Sequence, residues 1–194
     1  MLNFKTSRLH WNFFVAIEDD LKKISRYIEF SERNFVTYSI ELARILFSAS
    51  SEVDTIMKQI CKLHEPDRKF NNINEYRALI EQNLPDLIDE EIIIDRYGIK
   101  VKPWLSWLDA KSPAWWSSYT EIKHNRNEFF EKANLVNAIN AVGALLIVQV
   151  YYYKLAFSKE ANREIKFKEA TRHLLPKSSF MRMRDEYYFN NLIV

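Results

Sequence analysis

The sequence predicts an all-α fold, a helical bundle carrying one small β-hairpin near residues 91–102. Three observations predict it. Only two glycines, Gly98 and Gly143, occur in 194 residues, too few for the tight turns of a sheet-rich chain. Apolar residues recur at three- and four-residue steps over long stretches, the spacing of one helix face. From Ala133 to Tyr153 there is no charged residue, which predicts a helix with no solvent-facing side.

The first helix is expected over residues 11–30, with Phe13, Ile17, Leu21, Ile24 and Ile28 as its apolar stripe. A second runs from about Thr37 to Lys62 on the stripe Leu42, Leu46, Ala49, Val53, Ile56, Ile60, and Pro66 follows to end it. A short helix over Ile73–Leu84 stops near Pro85. The β-branched runs Glu91–Asp95 and Ile99–Lys102 flank Tyr97-Gly98, the pattern of a hairpin. Ser112-Pro113 reads as a cap followed by a proline at the first helical position, opening a helix through Trp115-Trp116 to about Phe130. The apolar helix then spans Ala133–Phe157. Two parts follow: a bundle over residues 1–158, and a charged, helical C-terminal extension over 159–194, running to about Leu175 and packed on the same domain.

The apolar helix is long enough to cross a bilayer. Its amides Asn134, Asn137, Asn140 and Gln149 would need partners in lipid, so a buried central helix is expected, with no membrane association. The single cysteine, Cys61, excludes an internal disulfide and any cysteine-based metal knuckle, and it reads as a small buried hydrophobe. The N-terminal residues lack the order of a secretory signal, and a cytoplasmic protein is expected. The formal charge is +2, but residues 154–194 hold nine basic and five acidic side chains against four and eight over 71–110. The tail is thus the surface better suited to an anionic partner.

Two glycines far apart build neither a phosphate loop nor a dinucleotide fingerprint. Glu121-x-x-His124 has the spacing of a helical di-iron pair, but none of His10, His64 and His173 has a Glu three residues before it, so no metal site and no cofactor are expected. Four tryptophans, Trp104, Trp107, Trp115 and Trp116, are either a corner of the core or a stacking platform. The segment from Tyr119 to Arg126 is the most suggestive. Lys123 and Arg126 fall on one helical face with Asn127 beside them, a cluster fit for a phosphate. His124 supplies an imidazole, the side chain best suited to acid–base work. A two-residue step turns a helix by about 200°, so His124 and Arg126 meet only if the helix breaks there or a second subunit supplies one of them. Lys123, His124 and Arg126 are the candidate catalytic residues, with Tyr119, Trp116 and Asn127 for binding.

Three segments carry a family likeness: Ser50–Asp54 inside the long second helix, Pro113–Tyr119 leading into Lys123–Arg126, and Ala133–Ala141 opening the apolar helix. In their pattern and order, over about residues 11–157, the chain resembles the HEPN-like helical proteins of bacteria and archaea. That resemblance implies a helical bundle that forms homodimers. It also implies a role in conflict systems such as abortive infection and toxin–antitoxin pairs, often as a metal-independent ribonuclease. The family's ribonuclease motif places an Arg a short, set distance before a His, and none of the four histidines here has one. Lys123-His124-Asn125-Arg126 stands in that region in a different order. The resemblance therefore implies either a diverged ribonuclease acting across a dimer groove, or a non-catalytic module that binds RNA, a nucleotide or a partner protein.

Overall fold

The computed structural model describes residues 4–189, and the final residues of the expected C-terminal extension lie outside them. Among the described residues are seven α-helices and a two-stranded antiparallel sheet, an all-α bundle with one hairpin. The helices are α1 (Leu9–Ile24), α2 (Ile40–His64), α3 (Ile73–Asn83), α4 (Ala114–His124), α5 (Arg126–Phe129), α6 (Leu135–Ala161) and α7 (Phe167–Arg172).

The most extensive packing is between α2 and α6, with α1 and α4 laid against the pair. On α2 the whole stripe from Leu42 to Ile60 is buried, and Ser39 caps the helix by accepting from the Leu42 N–H at 3.1 Å. The 27-residue α6 is the centre of the bundle. Its most apolar stretch is 83% buried inside the fold. Each amide finds a partner: Asn134 caps the helix at the Asn137 N–H, and Asn137 donates to Ser118 Oγ at 3.0 Å and the Lys132 carbonyl at 2.9 Å. Asn140 bonds back to the Val136 carbonyl, and Gln149 donates to the His10 carbonyl at 2.9 Å. These bonds offset much of the cost of burying the amides, although the Gln149 Oε1 is buried with no hydrogen-bond partner among the described residues.

The hairpin pairs β1 (Ile92–Ile94) with β2 (Ile99–Val101), Ile93 facing Lys100. Gly98 closes it at φ +62°, a conformation that disfavours residues with a Cβ. The hairpin rests on α6 at Gly143, where a Cβ would meet Ile92 Cγ1 at 3.1 Å. Cys61 is buried on α2, and burial pushes its thiol up to about 12, which suits packing rather than nucleophilic chemistry.

Several expectations are corrected. The first helix ends at Ile24, and the chain turns at 25–28 to bring Phe30 into the core. Its buried face is Trp11, Phe14, Ile17, Glu18 and Leu21, while Phe13 is half-exposed. Ser112 does not cap α4, which begins one residue later with Pro113 at the cap position. The helix expected to reach Phe130 breaks at Asn125. Tyr151 and Tyr153, which end the uncharged run, lie in the core and offer no surface to a second copy.

Among the described residues beyond α6 the chain is α-helical only over α7, with one 3₁₀ turn at Asp185–Tyr187. Asn162 ends α6 in the left-handed conformation at φ 50°, and residues 173–189 run back over the bundle as an irregular strap. Two fully buried carboxylates hold that strap. Glu18 on α1 accepts from the Ser178 hydroxyl and from the backbone N–H groups of Ser179, Phe180 and Met181 at 2.9–3.1 Å. Glu90, just before β1, accepts from the hydroxyls of Tyr151 and Tyr187 and from the Arg184 guanidinium. Between these anchors Arg182 exchanges two backbone bonds with Ile93 and clamps Asp95 at 2.5 and 2.9 Å.

Candidate functional site

The corner between α4 and α5 brings the sequence-predicted residues together on one surface. Asn125 leaves the helical range at φ −136°, ψ 61° while its N–H still closes the last turn of α4 on the Glu121 carbonyl. The chain restarts as the single turn of α5 and then as a 3₁₀ turn over Phe130–Lys132. Lys132 fastens this return by donating to Glu121 at 2.7 Å.

Aromatic rings form the floor. Trp115, Trp116, Tyr119 and Phe47 make consecutive edge contacts, with centroids 5.7, 5.6 and 5.3 Å apart. Trp104, Trp107 and Trp115 are buried, and the Trp115 indole donates to the Pro103 carbonyl at 3.0 Å. These three rings are core, which settles the choice left open for them. Trp116, Tyr119 and Phe47 are half-buried and reach the surface.

Two cations sit on that floor. The Lys123 ammonium lies 5.6 Å from the Tyr119 ring centroid, and the Arg126 guanidinium 5.5 Å from that of Phe47. Both are exposed, and neither has an ion-pair partner among the described residues. Arg126, Asn127, Phe47, Arg44, Ile40 and Phe130 face a groove of about 830 Å³. On the other side of Phe47 a smaller recess of about 400 Å³ is bounded by Phe13, Tyr119, Ser51 and Glu52. Arg44 is already engaged by Glu41 and Asp20. Two carboxylates of the same return, Glu128 and Glu131, are exposed and have no hydrogen bond or ion pair among the described residues.

His124 is placed differently. It ends α4, is exposed, and makes no hydrogen bond, ion pair or ring contact among the described residues. The structure brings together Trp116, Tyr119, Lys123, Arg126 and Asn127, and leaves His124 at their edge with nothing to orient its ring. The histidine that a carboxylate does hold is His10, whose Nδ1 is 2.6 Å from Glu52 Oε1. Sequence reasoning missed this pair and missed Phe47. Their partners lie 42 and 72 positions away, so neither has a local signal.

No group of three or more metal-ligating side chains occurs among the described residues. No protein family, curated protein or solved structure matches this chain.

Proposed function

We propose that the chain is a HEPN-like cytoplasmic module that binds single-stranded RNA at the α4–α5 corner, as a component of a microbial conflict system. One observation carries this reading: two uncompensated cations, Lys123 and Arg126, each ride on a ring of a continuous, partly exposed aromatic ladder. Stacking serves any base and contributes roughly 1–3 kcal/mol per base. The cations supply the salt-dependent attraction to phosphates. Asn127 adds hydrogen bonds at the groove rim.

Binding is favoured over cleavage because a general base must be held within reach of the proton that it removes, and no contact among the described residues holds His124. The break at Asn125 supports the second reading, a diverged ribonuclease, because it releases His124 and Arg126 from opposite faces of one helix. A homodimer would seat on Val36, Tyr38 and Ile40, which are 75%, 53% and 76% exposed where the chain turns and enters α2. Light scattering at tens of micromolar decides that point, and a monomer mass removes it.

Fluorescence anisotropy with a labelled oligouridylate tests the main reading. Lys123→Ala with Arg126→Ala should weaken binding at least tenfold and flatten its salt dependence, and Trp116→Ala should weaken it without changing the salt slope. Unchanged affinity in the double variant defeats the proposal. Cleavage of the oligonucleotide that His124→Ala abolishes would establish the ribonuclease instead.

A further inference from the structure

A second concentration of positive charge lies at the other end of the bundle. Arg8, Lys166, Lys168, Arg172 and His173 line an open cavity of about 730 Å³ together with the exposed Leu175. Its one carboxylate, Glu169, is already taken. Arg163, outside the wall, grips both of its oxygens at 2.5 and 3.2 Å, and this pairing holds the Glu169 carboxyl below the ordinary range. The wall is therefore positive with its own countercharge spent.

The cations are not loosely arrayed. Arg8 precedes α1 and donates from Nε to the His173 carbonyl at 2.8 Å, with its guanidinium 6.0 Å from the Phe157 ring centroid. One edge of its fork is thus anchored, while its terminal nitrogens have no hydrogen bond among the described residues. A planar guanidinium held at one edge is prepared for bidentate contact with phosphate oxygens. His173 packs edge-on against Phe4 at 4.9 Å and against Phe157 at 6.0 Å. Its imidazole is kept below its ordinary titration range by burial first and then by the charge of Arg8. Like charges kept close together repel, and an anion among them relieves that cost.

We propose that this cavity binds a nucleotide-sized ester of di- or triphosphate, with Arg8, Lys166 and Arg172 holding the phosphate oxygens and His173 beneath them. The volume falls within the roughly 300–1,000 Å³ of small-molecule sites and exceeds what a lone phosphate fills. Leu175 and the lysine and arginine stems leave an apolar wall for the remainder of the ligand. The site is independent of the α4–α5 corner. Asn137, beside the corner, and Phe157, beside the cavity, are separated by twenty residues of α6, roughly 30 Å along the helix.

Isothermal titration calorimetry on the full chain with ATP and with inorganic pyrophosphate tests this, together with NMR titration of the His173 ring. The groups around that ring are Phe4 and Arg8 from the N-terminal segment, Phe157 from α6, Glu169 from α7 and Lys177 from the strap, with Arg172 of α7 on the same cavity wall. Both probes should bind, and bound pyrophosphate should move the His173 midpoint upward. Arg172 is exposed and has no ion pair among the described residues, so Arg172→Gln should weaken ATP at least tenfold with an unchanged fold. Arg8→Gln should do the same, whereas Lys123→Ala with Arg126→Ala should leave ATP binding intact. Any of three results overturns the proposal: no binding of either probe at millimolar concentration, binding untouched by Arg172→Gln, or binding that leaves the His173 midpoint in place.

Discussion

The two ends of α6 both collect positive charge, but they hold it by different means. At the α4–α5 corner the cations come from residues three positions apart on either side of the helix break, and they rest on ring faces with no hydrogen bond among the described residues to fix them. At the far end Arg8 and the Lys166–His173 stretch converge from opposite parts of the chain, and a backbone carbonyl fixes Arg8. A surface of the first kind adapts to a long, variable ligand; one of the second kind suits a small ligand of set geometry. Proximity in sequence is thus a poor guide to how well a site is organised.

That contrast is breakable by measurement, starting with the core beneath the ladder. Trp115→Ala should cost about 3–5 kcal/mol in urea denaturation, because a buried ring and its bond to Pro103 are both lost. Trp116→Ala should cost far less, and equal costs would make the whole ladder core. Glu18→Gln comes next, at about 2–3 kcal/mol, because an amide substitutes a donor for one of the oxygens on which four donors converge. The same variant should expose residues 173–189 to limited proteolysis. A strap that stays protected would show that Glu18 does not hold it.

Acidification should act more gently. Burial is the leading cause that lowers both His64 and His173 from the ordinary value of 6.5. The unfolded chain therefore binds more protons than the native one just below that value, and stability should fall as the pH drops from 6.5. Carboxylates with lowered titration, such as Asp89 and Glu169, contribute stability that is lost only at lower pH, below their ordinary 3.8 and 4.5. Denaturation midpoints at pH 7 and 5.5 should differ in wild type and converge in a His64→Gln, His173→Gln variant. The smallest effect is expected at the corner: Lys123→Ala and Arg126→Ala should each change stability by no more than about 0.5 kcal/mol. A larger loss would mean that these side chains support the fold.

The helices were legible where burial follows one period. Every stripe residue of α2 is buried, and the uncharged run of α6 is the centre of the bundle. Gly98 marked the hairpin because its positive φ leaves few alternatives. Phe13 misled because its spacing fitted the stripe, while the buried face includes Glu18, a residue that a pattern of apolar positions assigns to solvent. Glu18 is buried because backbone donors some 160 positions away satisfy it, and no local window contains them. The break at Asn125 was foreseen only as a condition for His124 and Arg126 to meet, since neither Gly nor Pro marks it. The site residues were visible as residue types. Phe47, Arg8 and His173 were not visible as members of sites, because their partners are distant in the chain.

Gly143 shows how far an absent side chain can reach. An alanine there would favour the helix by roughly 1 kcal/mol, yet its methyl group would press on Ile92 at 3.1 Å. Ile92 would have to give by a few tenths of an ångström, and any part of that shift taken up by β1 would carry Arg182 along through the backbone bonds that it shares with Ile93. The depth at which the hairpin seats thus sets the height of a strap joined to it from the other end of the chain, so one vacant hydrogen on the central helix works as a spacer between two distant segments.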